Sequence, residues 1–146
     1  MNKPQAVMDF ISTCPMVGVD AYFNFVDETN KESNTSLLTD GYGGEVIKKY
    51  VDGDTIKKFQ CVIRQVKPLS RHSNTNENIE ELQKVKEFLD WVNEQGKTKN
   101  FPNFGTKCEV QKMSTPDGVD YPMLAGEYEG TALYSFPFEI TYIERI

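Results

Sequence analysis

Polar and apolar residues alternate with period two over 131–144. Tyr134, Phe136, Phe138, Ile140 and Tyr142 fall on one side, with Ser135, Glu139 and Thr141 on the other. Successive side chains of an extended chain point to opposite faces, so this pattern predicts a half-buried β-strand. Pro137 within it cannot donate a ladder hydrogen bond, which predicts an edge strand or a bulge. Residues 17–25 alternate too, with Val17, Val19, Ala21, Phe23 and Phe25 opposite Asp20 and Asn24. Two β-rich runs, 45–51 and 55–66, flank Asp52-Gly53-Asp54. Glycine accepts the positive φ of a tight turn, so these runs predict a hairpin, with Pro68 closing its second arm. Shorter strands are predicted at 35–38 and 107–113.

Two segments switch to helical spacing. Ile79, Leu82, Val85, Phe88, Leu89 and Val92 recur every three or four residues. Glu77, Glu80 and Glu81 lead this helix, where its dipole is positive, and Gly96 is a suitable stop. Trp91 lies one position off the stripe, at its margin or against a partner. Near the start, Asn2 can cap a short helix with Pro4 in its first turn. Val7, Met8, Ile11 and Cys14 share its face, and Pro15 ends it. The stretch 27–44 is polar and glycine-rich and reads as a long loop. A turn at 115–118 opens a second such stretch, 114–130, which reads either as loop or as a distorted hairpin arm. The order is helix, strand, hairpin, long helix, strands. That order predicts an α+β fold in one domain, 1–146. Its mostly antiparallel sheet carries the short N-terminal helix and the long amphipathic helix on one face.

Composition narrows the class. Of 146 residues, 38% are hydrophobic and 26% charged, which excludes a disordered chain. No apolar run approaches the roughly 20 residues of a membrane helix, and 1–13 lacks a signal-like apolar stretch, so a cytosolic origin is expected. Cys14, Cys61 and Cys108 are dispersed and odd in number, as buried thiols are. The net charge of −6 opposes general adhesion to nucleic acid. The charge is also uneven. Residues 44–75 hold seven Lys or Arg against three acids, and 76–96 hold six acids against two lysines. Such contrast is either a solvated surface or a pair of patches that meet between copies of the chain.

Signals for chemistry are weak. His72 is the lone histidine and lies in polar Ser70-Arg71-His72-Ser73, without the elbow that presents a nucleophile. Asp52-Gly53-Asp54 has too few acids for a calcium loop, and Gly41, Gly43 and Gly44 are not followed by a phosphate-binding lysine. No catalytic, metal or cofactor-binding residue is assigned.

The chain resembles the tail terminator proteins of long-tailed bacterial viruses, also called minor capsid proteins. The residues that carry the resemblance are Tyr50, Asp52 and Gly53 before a strand with Phe59, then Asn76 and Asn78. After them come a helix holding Leu82, Phe88, Trp91 and Gln95, a link at Pro102, and a closing strand ending Tyr142-Ile143-Glu144. The resemblance spans nearly the whole chain and rests on element order more than on a fixed motif. It implies a structural virion protein with no enzyme activity. Such proteins form a ring, typically a hexamer, that caps the tail tube, stops its polymerisation and offers a face to the head-completion or connector protein. It implies assembly on the tail of the virion after synthesis in the bacterial cytoplasm, with no membrane and no sequence-specific nucleic acid as partner. The expected contacts are the basic hairpin, with Lys57 and Lys58, against the acidic helix, with Glu80 and Glu87. Tyr42, Tyr121 and Tyr128 in the two long loops are expected to anchor tube or head proteins. The competing expectation is a small adaptor or ligand-binding α+β domain.

Overall fold

A computed structural model describes residues 3–15, 21–23, 34–39, 45–68, 75–128 and 130–146. The elements run α1 (Lys3–Ile11), β1 (Ala21–Phe23), β2 (Asn34–Thr39), β3 (Glu45–Lys49), β4 (Thr55–Pro68), α2 (Thr75–Lys97), β5 (Cys108–Ser114), β6 (Met123–Tyr128) and β7 (Thr131–Glu144). All seven strands join one sheet, and every pairing is antiparallel except that of β1 with β2. The fold is α+β, as the order of periodicities predicts.

Strands β4 and β7 are the middle of the sheet. They pair without a break from Thr55↔Glu144 to Pro68↔Thr131. Beyond β4 lie β3 at one end and β2 at the other; beyond β7 lie β5 at the first end and β6 at the second. The alternation in β7 therefore does what its sequence requires. Tyr134, Phe136, Phe138, Ile140 and Tyr142 face the core with Phe59, Cys61 and Ile63 of β4. Both helices cover that face. Val85, Phe88, Leu89 and Val92 of α2 and Ala6, Val7, Phe10 and Ile11 of α1 complete the cluster. Phe88 meets Phe136 edge-on at 5.4 Å between ring centroids.

Pro137 does not mark an edge. It pairs with Val62 of β4, and on its other side the neighbour changes. Strand β6 reaches only to Ser135, and β5 begins only at Glu139. Position 137 falls in that gap, where no strand of the described residues asks for its missing N–H. A proline is thus accommodated in the central strand.

Both long polar stretches contain strand: the one expected at 35–38 forms, and 114–130 takes the hairpin-arm alternative. Strand β2 occupies the middle of 27–44 and buries Thr35, Ser36 and Leu37. Most of 114–130 is turn plus strand: Gly118 (φ 84°) closes the first turn and Gly130 (φ 84°) joins β6 to β7 as a hairpin. The hairpin at Asp52-Gly53-Asp54 forms as expected, with Gly53 at φ 98°. Of the predicted strand 17–25, residues 21–23 form β1; the rest lies outside the described residues.

Gly96 is not the stop of α2. The left-handed residue is Lys99 (φ 59°), and the Asn100 N–H donates to the Gln95 carbonyl at 2.9 Å while Lys99 N–H donates to that of Gly96. This double bond pattern is a Schellman ending with a lysine where glycine is usual. Gly96 lies inside the helix on its core side. Ile79 departs from the expected stripe and is exposed. At 100° per residue it stands about 120° round the helix from Val85, outside the buried face. Trp91 sits at the margin, half-buried, with its ring 5.3 Å from that of Phe10 in α1. Among the described residues no helix is long and apolar enough to cross a membrane.

Candidate interaction surface

The exposed apolar side chains are not scattered. Of nine large ones among the described residues, four lie in the β3 hairpin: Val46, Ile47, Tyr50 and Val51. Three more, Tyr121, Met123 and Leu124, lie at β6. Clustering of this kind is the informative departure from an ordinary surface. Val46 and Ile47 of the hairpin arm are both exposed, so neither is committed to the core. Among the described residues β3 pairs only with β4, and β6 only with β7. Among the described residues both are therefore sheet edges, each with one side unpaired.

The β5 edge differs. Strand β5 turns Glu109, Gln111 and Lys112 to solvent and keeps Met113 in the core. Charged side chains of this sort protect an edge from further pairing.

Charge divides the two apolar edges. Lys48 and Lys49 are exposed on β3, with the Lys48 ammonium 5.0 Å from the centre of the Tyr50 ring. Around β6 the exposed charges are Asp117, Asp120 and Glu127, and no Lys or Arg occurs from 114 to 131. One cation approaches from elsewhere: the Lys86 ammonium of α2 lies 4.9 Å over the Tyr121 ring.

The expected contact residues fall in several places. Lys57 and Lys58 are bound within their own chain. Lys57 pairs with Glu144 at 3.3 Å and Lys58 with Glu139 at 3.2 Å, on opposite faces of the sheet. Glu144 is shared with Lys3 of α1 at 3.8 Å. The basic charge left outward on the hairpin is that of Lys48 and Lys49. Glu80 and Glu87 are exposed and one heptad apart, so with Glu94 they line the solvent side of α2. Lys84 and Lys86 on the same helix pair with Glu81 and Asp90. Tyr121 is exposed beside β6, Tyr128 contributes backbone to β6, and Tyr42 and His72 lie outside the described residues. The sequence pointed to Tyr121 but not to Val46, Ile47, Met123 or Leu124. The available signal was the lack of alternation at 45–51 and 123–125.

The far end of the hairpin is clamped. Arg145 reaches Asp54 at 3.3 Å and Glu109 at 2.9 Å, and the Ile146 N–H donates to Asp54 Oδ1 at 3.1 Å. The Glu109 hydrogen bond, chiefly, holds the Arg145 guanidinium above its ordinary pKa. Beside this clamp lies an open cleft of about 570 Å³, lined by Lys3, Phe104, Cys108, Glu144 and Arg145 among others. A smaller cavity of about 200 Å³ sits under β6, between Arg64, Val66, Glu127 and Leu133. It is below the size of ordinary ligand pockets and is roomy enough for water. Arg64 Nε is buried there without a hydrogen-bond partner among the described residues.

Titratable groups inside the core are shifted by burial. The Cys61 thiol is pushed up by desolvation, which keeps it protonated and unreactive. Tyr142 is pushed up to about 12 by burial, then by Glu144 and Cys108. Burial lowers Lys67, with nearby Glu81 opposing the shift. Among the described residues no three His, Cys, Asp or Glu side chains gather as a metal site.

The chain matches no known protein-family model and no curated protein.

Proposed function

We propose that this chain is a structural virion protein, a tail terminator. It forms a ring on the tail tube, stops the tube's polymerisation and offers a face for head joining. The observation that carries this reading is the segregation of exposed apolar side chains to two edges of unlike charge, β3 with its lysines and β6 with its acids. A closed ring of identical copies needs two different patches on each copy, placed so that one meets the other on a neighbour. The resemblance of element order to tail terminators supplies the biological setting, and the α+β architecture agrees with it.

The test has two parts. Size-exclusion with native mass measurement reads the assembly state, and a closed oligomer is expected, either free or on isolated tail tubes. Tubes polymerised with the purified chain stop at a set length with the protein at one tip. Tubes that grow on unchanged would refute the terminator role.

A small ligand-binding domain is the second reading, and the cleft beside Cys108 and Arg145 favours it. Its volume lies within the range of small-molecule sites. A tight monomer that binds a small anion in that cleft would support it over the ring.

A further inference from the structure

The two apolar edges have a directional relation. Strand β3 is antiparallel to β4, β4 to β7, and β7 to β6. So β3 and β6 run in opposite senses on opposite sides of one sheet. Strand β3 lies at the Thr55/Glu144 end of the central pair and β6 at the Pro68/Thr131 end. A second copy in the same orientation, set beside the first and shifted along the strands, therefore brings its β3 against the first copy's β6 antiparallel, the sense that already dominates the sheet. The strands match in length, with five residues in β3 and six in β6. Their outward charges are opposite.

We propose that the occupant of the β6 edge is the β3 edge of a second copy of this chain, which adds to it as a further antiparallel strand and continues the sheet from copy to copy. This rests on the ring reading above and names its joint. Backbone N–H and C=O groups supply the ladder, as in other strand additions. Val46, Ile47, Met123 and Leu124 leave water together. Lys48 and Lys49 approach Asp120 and Glu127. Each edge strand has one irregular step, between Val46 and Lys48 in β3 and between Leu124 and Gly126 in β6. Such bulges limit indiscriminate edge pairing, so the ladder is short and its register restricted. The contact is head-to-tail. It uses the β3 edge and the β6 edge of every copy and leaves the acidic side of α2 free for other proteins.

Cross-linking in the full chain tests this. Ile47→Cys and Leu124→Cys are made separately, each with Cys108→Ser, and treated with a bismaleimide whose spacer tolerates a two-residue offset in register. An equimolar mixture gives a covalent dimer that neither variant gives alone, and the Ile47→Cys/Leu124→Cys double variant gives a ladder of multimers. Dimers from either single variant alone would mean like edges meet, and would overturn the proposal. No product in the mixture, with both thiols shown to be reactive, would also overturn it. The tube-length assay on the same wild-type preparation separates the two readings. Cross-links without tube capping leave the joint standing and refute the terminator role. Capping without cross-links does the reverse.

Discussion

Gly96 of α2 lies against the backbone carbonyl of Met113 in β5, with no space for a Cβ between them. It stands about 20° round the helix from Val85, on the face pressed to the sheet. A glycine there lets the helix approach the strand at backbone distance. Gly96→Ala gains helix propensity of about 1 kcal/mol but forces α2 and β5 apart. The obstructing atom is backbone and cannot rotate away, so the clash prevails. The expected result is a net loss of about 1–3 kcal/mol in urea unfolding.

Phe88 packs α2 against the sheet. It is fully buried against Phe136 and also meets Trp91 at 6.3 Å between ring centroids. Phe88→Ala is expected to cost about 3–5 kcal/mol, and Phe88→Leu much less, because it keeps most of the volume. Thermal unfolding measures both. Equal losses from the two variants would show that the ring geometry, not volume, is what matters.

The three thiols are predicted to label in order. Cys108 is half-buried at the open cleft, while Cys14 and Cys61 are buried. The raised pKa of Cys61 suppresses its thiolate further. A thiol reagent applied to the native protein modifies Cys108 first, and Cys61 reacts only at the rate of unfolding.

Alkaline stability depends on Tyr142. Its pKa rises to about 12 in the fold, so the fold favours the neutral phenol. The resulting stabilisation is complete below about pH 10, the value of a free tyrosine, and is lost as pH rises through about 12. Tyr142→Phe keeps the edge-on contact with Phe104, at 5.3 Å, and removes the titration. Its unfolding free energy should fall less steeply between those pH values than that of wild type.

Assembly should separate the lysines of the hairpin. Lys57 and Lys58 are already paired in their own chain, and Lys48 and Lys49 are not in any ion pair among the described residues. Lys48→Glu/Lys49→Glu is expected to weaken the oligomer, and adding Asp120→Lys/Glu127→Lys to restore it. Both effects diminish in high salt, where exposed charges are screened within a few ångströms. Sedimentation at several ionic strengths reads all three. A larger loss from Lys58→Glu than from the Lys48/Lys49 pair would place the contact elsewhere on the hairpin.

The long periodic elements were legible in the sequence. Alternation located β7 and the Asp-Gly turn located the β3–β4 hairpin, because a half-buried strand and a positive φ leave local marks. Tertiary features were hidden where local logic misleads. Pro137 signals an edge until two neighbours are found to stop short of it. Gly96 signals a helix end until β5 is seen at its back. The β6 strand lacked alternation because Met123, Leu124 and Ala125 all face water. Tyr121 was identifiable as an anchor from its type and position. Its neighbours were not, since an aliphatic residue in a strand is ordinarily assigned to the core.

Strand β7 follows every other element in the chain and yet touches β4, β5 and β6. Among the described residues nothing earlier closes the sheet in its absence: β5 and β6 have no other strand to join, and most of the aromatic floor beneath both helices belongs to β7. A nascent polypeptide therefore reaches its native topology only after residue 144 has been made, and until then its adhesive strands circulate beside unfinished siblings. Synthesis at high copy number should make this protein depend on chaperones more than its modest size would suggest.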